Sequence, residues 1–337
     1  MKVLFIGGTG NISSACVALA LARDYKVTLL NRGRTSELSD HRVHHITGDR
    51  NDIKVLEETA QGNYDVVANF VGFTPDQIEK DIAAFTGHVG QYIFISSASV
   101  YQKPPNHYVI TESTPLCNPF WQYSRDKIAC EGRLIQAYRE HGFPMTIVRP
   151  SYTYGETWIP CGVGGHGYTV VARMRQGKPI LSHGDGQSLW VMTHNSDFAI
   201  GFVGLFGARA AIGEAFHITS DEVLTWDRLY ETMAHAAGCV PNIVHVSTDL
   251  IAGLYPSLAG GLWGDKAHSV VFDNSKIKRV VPEYHARVSW AEGIARSIAW
   301  YDAKPEERHF VNHEVDAMMD HIIAVQQEAI KRRKHNG

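Results

Sequence analysis

Residues 6–13 read IGGTGNIS, a glycine-rich turn set between the apolar run 2–6 and a periodic stretch that carries on to Ala22. Gly7 and Gly10 fill the first two positions of a GxxGxxG pattern that follows a strand and opens a helix. Such a turn needs residues without Cβ, so that the backbone can approach a pyrophosphate whose charge then sits among the unpaired N–H groups of the helix N-terminus. Gly7 and Gly10 meet that need, with Asn11 and Ile12 in the first helical turn. The third position is Ser13, a small residue that widens the helix-to-sheet packing slightly without closing the site.

Outward from the turn, residues 27–30 form a second apolar run, so the first thirty residues read as strand, helix, strand. Further buried strands are expected at 43–46, 66–71, 92–96 and 145–148, each after a helical or polar segment, an alternation that predicts a parallel sheet covered on both faces. The expected fold class is α/β: a Rossmann-type doubly wound parallel sheet with a smaller C-terminal α/β substrate lobe. The dinucleotide-binding domain is expected over 1–150 plus a returning segment at about 189–213, and the substrate lobe mainly over 151–188 and 214–337. Residues 151–190 are rich in Gly, Tyr, Trp and Pro and read as cleft-lining loop with a helix near 170–176. Beyond them a helix is expected at 196–207, a strand at 215–219, an amphipathic helix at 226–237 capped by Thr225, and a long helix near 311–332.

At 337 residues the chain can bury such a core and a second lobe. Apolar content of 44% and charged content of 20% are those of a soluble globular protein, and no apolar stretch is long enough to cross a bilayer, so no membrane partner is expected. A formal net charge of −3 gives nucleic acid no global attraction; the basic run KRRKH near the end reads as a solvated tail. The five cysteines, Cys16, Cys117, Cys130, Cys161 and Cys239, are odd in number and lack CxxC spacing, so neither a disulfide framework nor a zinc site is expected and a reducing, cytoplasmic location fits. None of the eighteen histidines falls in an HExxH pattern, and no metal is expected. His166 and His194 are retained as substrate contacts because they fall in cleft loops.

Where dinucleotide folds place a carboxylate on the adenosine ribose, this chain has Asn31 followed by Arg32, with Arg34 nearby. A carboxylate would repel a 2′-phosphate, whereas an amide followed by a guanidinium accommodates one, so NADP(H) is favoured; NAD(H) is the alternative if the two arginines are ordinary surface charges. Tyr123 and Lys127 form YxxxK in YSRDK, a spacing that puts both on one helix face. They follow the strand end ISSASVY and precede IVRPSYTYG. A phenol with a pKa of about 10 is a poor base at neutral pH, so the Lys127 ammonium is expected to favour the phenolate. Ser97 can hydrogen-bond the oxygen of a reacting carbinol or carbonyl while Tyr123 transfers its proton.

With these motifs in order, the chain resembles the extended short-chain dehydrogenases/reductases, in particular the NAD-dependent epimerase/dehydratase family exemplified by UDP-galactose 4-epimerase. Besides IGGTGNIS and YSRDK, the resemblance is carried by GD at 48–49, NFVG at 69–72, SSASVY at 96–101, RPSYTYG at 149–155, GDG at 184–186, HNSDFA at 194–199 and WAEGIARSIAWY at 290–301. It implies that Asp49, with Arg50 beside it, meets the adenine, that Phe70, Val71 and Gly72 flank the cofactor, that Pro150 and Ser151 lie beside the nicotinamide, and that Ser97, Tyr123 and Lys127 are catalytic. Sugar 4,6-dehydratases carry an Asp and a Glu where this chain has Ala98 and Ser99, so dehydration by that route is not expected, and Ser99 is assigned to the substrate. Tyr152 stands where related nucleotide-sugar enzymes have Asn, and Trp190 where they have an Arg for the substrate diphosphate. An indole cannot neutralise a diphosphate but can stack on a sugar, so Trp190 is expected in the substrate cleft and an ordinary UDP- or dTDP-sugar is disfavoured unless Arg173 or Lys278 substitutes. Members of the family often pair through the helices after the third and fourth strands, and a homodimer is the expected assembly.

The expected function is hydride transfer on a small-molecule substrate, a sugar or related hydroxyl/keto compound that includes nucleotide sugars, by an epimerase or a reductase. A second reading is an NADPH-dependent carbonyl reductase of a non-nucleotide compound. A third is a non-catalytic relative that senses nucleotides or associates with RNA; the intact Ser97, Tyr123 and Lys127 set and the mildly acidic charge oppose it, and no nucleic-acid partner is expected.

Overall fold

The N-terminal apolar run forms strand β1 (Lys2–Ile6) in the computed structural model, which describes residues 1–33 and 40–335, with side chains through residue 331. Arg34 and the side chains of the basic tail after Lys331 lie outside the described residues. Val3 and Phe5 pack into one layer and Leu4 and Ile6 into the opposite one. A strand buried on both faces must be apolar throughout, which is why it reads as a run and not as an alternation. The glycine turn leads into helix α1 (Asn11–Ala22), and the chain continues through β2 (Lys26–Asn31), β3 (Val43–Thr47), α2 (Ile53–Ala60), β4 (Tyr64–Asn69), α3 (Pro75–Phe85), β5 (Val89–Ile95), the short β6 (Val109–Ile110), α4 (Gln122–His141) and β7 (Met145–Pro150).

Seven parallel strands form the central sheet, in the order Ala215–Ile218, β7, β5, β4, β1, β2, β3. The chain winds from β1 to one edge and then returns to build the other, so the strand order reverses between β1 and β4. In such sheets the crevice beyond the strand C-termini at the reversal is where ligands bind. Two departures from the sequence expectation bear on the crevice. β4 stops at Asn69, short of residue 71, because the Asn69 Oδ1 accepts from the Val71 N–H at 2.8 Å and bends the chain into the crevice. The last strand of the sheet, Ala215–Ile218, lies just past the segment 189–213 that was expected to return.

A second apolar core forms mostly from residues after 150, with α5 (Thr169–Arg175), Trp190, Trp226, Tyr230 and Trp290, and takes in Ala98, Tyr101 and Ile110 as well. Helix α6 (Asn195–Gly204) belongs instead to the sheet, covering the same face as α1. Helix α7 (Trp226–Ala236) starts as expected, the Thr225 hydroxyl accepting from the Arg228 N–H at 3.2 Å. The final helix, His313–His335, docks on Arg173, which is 1% exposed and pairs with Asp316 at 2.5 Å and Asp320 at 2.6 Å. Lys278 pairs with Asp221 at 2.7 Å. Neither cation is therefore free to replace the missing arginine at a diphosphate. Among the described residues the five cysteines are free, no helix is long and apolar enough to cross a membrane, and no group of three or more His, Cys, Asp or Glu side chains is placed to hold a metal ion.

Candidate active site

Three adjoining cavities follow the crevice from end to end. The first, about 350 Å³, lies between Gly7 and the ends of β2 and β3 and is lined by Asn31, Arg32, Asp49, Arg50, Val71 and Phe73, among others. The second, about 570 Å³, runs from the turn Gly7–Ser13 past Phe70 and Val71 to Ser97, Tyr123, Lys127, Pro150 and Ser151. The third, about 360 Å³, shares Ser97, Tyr123 and Tyr152 with the second and opens toward His166.

At the glycine turn, Gly7 has φ +93°, a left-handed conformation, and a Cβ placed there would lie 3.2 Å from Val71 Cγ1. Gly7→Ala is therefore expected to cost about 1–2 kcal/mol in backbone strain and to narrow the cradle, read as a lower unfolding midpoint together with weaker quenching in an NADPH titration. Asn11 closes the far side by donating to the Thr153 carbonyl at 3.0 Å, while its Oδ1 is buried without a partner. At the other end, Asn31 Oδ1 accepts from the Gly33 N–H at 3.0 Å, and Asp49 accepts from the Asn51 N–H at 2.9 Å. That backbone hydrogen bond, with Arg32 and Arg50 adding to it, holds the Asp49 carboxyl below its usual range. Arg50 is buried and anchored to Asp81 at 2.6 Å, yet its Nε and Nη1 have no partner. A glycine cradle joined to a second polar pocket with unsatisfied donors and an unsatisfied acceptor fits a dinucleotide.

Tyr123 and Lys127 both reach the middle cavity from α4, and Ser97 meets them from the end of β5. The ammonium is engaged by the backbone. Lys127 Nζ donates to the carbonyls of Gly72 at 2.6 Å and Ile95 at 2.7 Å, and it lies 5.8 Å from the Tyr123 ring centre. Burial pulls its pKa down to about 8. Burial also pushes the Tyr123 phenol up, with a hydrogen bond involving Ser97 working in the opposite direction. Desolvation thus outweighs any acidification by the lysine, and the phenol stands neutral. Behind it runs a chain of hydroxyls: Ser124 Oγ donates to Ser99 Oγ at 2.7 Å, which lies 2.9 Å from Ser97 Oγ. Gly72 lines none of the three cavities; its part is the carbonyl that holds Lys127.

Of the residues assigned to substrate, Ser99, Tyr152 and His166 line the third cavity. The Tyr152 hydroxyl donates to the carbonyls of Gly165 at 3.0 Å and Cys161 at 3.2 Å, and the His166 ring stacks on Trp158 with centroids 3.2 Å apart. Two assignments are corrected. Trp190 is 1% exposed and packs against Trp226 at 5.3 Å inside the second apolar core, where its area is worth more than it would be in a wet cleft. His194 is the N-cap of α6: its Nδ1 accepts from the Ser196 N–H at 3.3 Å, it meets Tyr154 edge-on, and burial lowers its pKa to about 4, so the ring is neutral. Residues not singled out from sequence also line the crevice: Phe73 and Gln77 in the first cavity, Thr153 in the second, and Trp121, Asp265 and Lys266 in the third. Phe73 beside the NFVG motif carried a local signal; Asp265 and Lys266 carried none.

A doubly wound sheet, a glycine turn at its reversal point and a Ser, Tyr, Lys set on the adjoining strand end and helix define an extended short-chain dehydrogenase/reductase. The model of the NAD dependent epimerase/dehydratase family matches residues 3–219, and the chain belongs to that family. It is 28% identical over 262 residues to the chloroplast stem-loop binding protein of 41 kDa b of Arabidopsis thaliana, covering 72% of this chain and 65% of that protein, so it spans less than two thirds of that relative. It is 25% identical to a dTDP-glucose 4,6-dehydratase of an Actinoplanes strain, covering 90% of this chain and 98% of that one. Among solved structures, UDP-glucose 4-epimerase from Bifidobacterium longum, in complex with NAD+ and UDP, superposes with a TM-score of 0.73 at 21% identity over 92% of this chain and all of that one, a likeness of fold.

Proposed function

We propose that the protein is an NAD(P)-dependent oxidoreductase or epimerase acting on a carbinol or carbonyl carbon of a sugar-like substrate. The observation that carries this reading is that Ser97, Tyr123 and Lys127 line the same cavity as the turn Gly7–Ser13. The intact set favours redox chemistry over the stem-loop binding for which the Arabidopsis relative is named. Gly7, Gly10, Asn11 and Ile12 would hold a pyrophosphate, Asn31, Arg32, Asp49 and Arg50 the adenosine end, and Phe70, Val71, Pro150 and Ser151 the middle and nicotinamide portions. When bound, the nicotinamide dinucleotide supplies the hydride acceptor or donor.

The chain's own residues manage the oxygen and its proton. Ser97 Oγ donates to the substrate oxygen and fixes its direction, while the neutral Tyr123 phenol gives up its proton as a carbonyl becomes a carbinol. The hydroxyls of Ser99 and Ser124 lead away from Ser97 and let its donor turn toward the substrate without leaving a buried lone pair unmet. Lys127, cationic below pH about 8, braces the Gly72 and Ile95 carbonyls and so sets the distance between the turn after β4 and the catalytic strand.

NADP(H) is the proposed dinucleotide, on the ground that Arg32 lines the first cavity and the Asn31 oxygen is engaged by Gly33, leaving no carboxylate at that strand end. The five free cysteines support a cytoplasmic setting, and the adjacent helices α3 and α4 offer the surface for a homodimer. The test is calorimetry with NADPH and NADH on wild type and Arg32→Ala, followed by turnover of sugars with the bound dinucleotide. The expected result is tighter NADPH binding, by about 1.5–3 kcal/mol for a charge-assisted contact, that is lost in Arg32→Ala. Equal affinity would return the cofactor assignment to NAD(H), and no dinucleotide binding at all would end the redox reading.

A further inference from the structure

The wall of the third cavity opposite Ser97 is built by Leu262–Lys266, a single turn of π-helix, a geometry that is uncommon and recurs at functional sites. Its position is set at two points. Asn118 Nδ2 donates to the Gly264 carbonyl at 2.7 Å and to the Ser99 carbonyl at 2.8 Å, tying one wall of the cavity to the other. His183, buried and neutral, donates from Nε2 to the Lys266 carbonyl at 2.8 Å. Position 264 has no room for a side chain, since a Cβ there would lie 2.7 Å from Trp121 Cβ.

This framework holds Asp265 and Lys266 on the cavity wall. Lys266 Nζ lies 5.6 Å from the Tyr152 ring centre and 5.9 Å from that of Trp121. Its contact with the Gly261 carbonyl is long, at 3.5 Å, and among the described residues no carboxylate pairs with it. An ammonium under-coordinated in a half-buried cavity has donors left for a ligand. Asp265, whose carboxyl burial pushes up, is opposed first by Lys103, which is 3% exposed and does not line the cavity, and then by Lys266 and His268. The field of Asp265 still reaches Tyr123 across the cavity. With Lys103 and Lys266 both set against the single Asp265 carboxyl, one positive charge is left in excess, and Lys266 carries it on the cavity wall among Trp121, Tyr152 and Trp158.

We propose that Lys266 reads a single anionic group, a phosphate or a carboxylate, on a substrate of one sugar ring, and that Asp265 accepts a hydrogen bond from a hydroxyl of that ring while its carbinol carbon faces Ser97 and Tyr123. This inference rests on the redox reading above and narrows its substrate. The aromatic walls supply faces for the ring, a cavity of about 360 Å³ suits a compact ligand, and among the described residues no arginine lines it to meet the charges of a nucleoside diphosphate.

The experiment is calorimetry on the full chain saturated with NADP+, titrated with glucose, glucose 1-phosphate, glucose 6-phosphate, glucuronate and UDP-glucose. At least one phosphorylated or carboxylated hexose is expected to bind about 10–100-fold more tightly than glucose, and the phosphate and carboxylate arms tell which anion is read. In Lys266→Met that ratio should fall toward one, and in Lys266→Arg most of it should persist. A wild-type protein that does not distinguish the charged hexoses from glucose, a ratio that survives in Lys266→Met, or UDP-glucose binding tighter than every charged hexose and unaffected by that substitution each overturns the inference. The redox reading fails by a different sign, unchanged turnover in Tyr123→Phe, which would leave the calorimetric ratio where it was.

Discussion

Tyr123→Phe is expected to lower turnover by about 10²–10⁴-fold, the span that a positioned proton donor contributes, while leaving dinucleotide affinity within a few-fold of wild type. Tyr123 lines both the second and third cavities, so it stands where the two meet. Phenylalanine keeps the ring against Trp121, 4.9 Å away, so packing is preserved and only the proton is lost. Stability should change by no more than about 1 kcal/mol, the net worth of one hydrogen bond, because Ser97 retains Ser99 as a partner. The pH behaviour follows from the sign of the shift. Burial raises the phenol, so it is protonated through neutral pH and ready to act as an acid; carbonyl reduction should hold up there and decline as pH climbs, whereas carbinol oxidation should gain. Initial rates in both directions between pH 6 and 10, for wild type and variant, check this, and a variant that turns over at the wild-type rate would remove Tyr123 from the mechanism.

The largest expected loss of stability lies one layer below the site. Glu131 on α4 is 1% exposed and takes three hydrogen bonds: Ser96 Oγ at 2.5 Å, Arg149 Nε at 3.0 Å and Arg149 Nη2 at 2.6 Å. Arg149, on β7, is 4% exposed and faces the Tyr101 ring at 4.9 Å. Glu131→Ala leaves a guanidinium in the interior with no counter-charge, a change that costs about 3–5 kcal/mol. The same pair replaced together, Glu131→Met with Arg149→Met, should recover most of that loss, since the desolvation penalty disappears with both charges. Urea unfolding midpoints of the single and double variants decide it. A single variant within about 1 kcal/mol of wild type would mean that the ion pair is as weak as a surface one. Because Ser96 adjoins Ser97, the single variant should also lose turnover, and the double variant should regain stability without regaining all of it.

Much of the cofactor half of the site was legible because its signals are local. A glycine at φ +93° next to a buried run, and a Tyr and Lys four residues apart, are statements about neighbours in the chain, and the structure brings Gly7, Asn11, Ser97, Tyr123 and Lys127 to one cavity. The substrate half was not. Trp190 and His194 lie in a segment that resembles a cleft motif, but whether an indole faces solvent or Trp226 depends on which helix packs over it, and α7 comes from thirty-odd residues further on. Asp265 and Lys266 had no motif at all; their place comes from Asn118, which ties the π turn to Ser99, and from His183, which holds it from the strand Ile180–His183.

The amino-acid sequence by itself determined the doubly wound sheet, the glycine turn that opens α1 and the helix face shared by Tyr123 and Lys127, because each follows from periodicity, backbone freedom and spacing within a few residues. Only the tertiary structure decided that Lys127 binds two backbone carbonyls, that Trp190 belongs to a core, and that Lys266 lines the third cavity. Burial and charge balance are properties of an environment assembled from distant segments, and no residue carries them on its own.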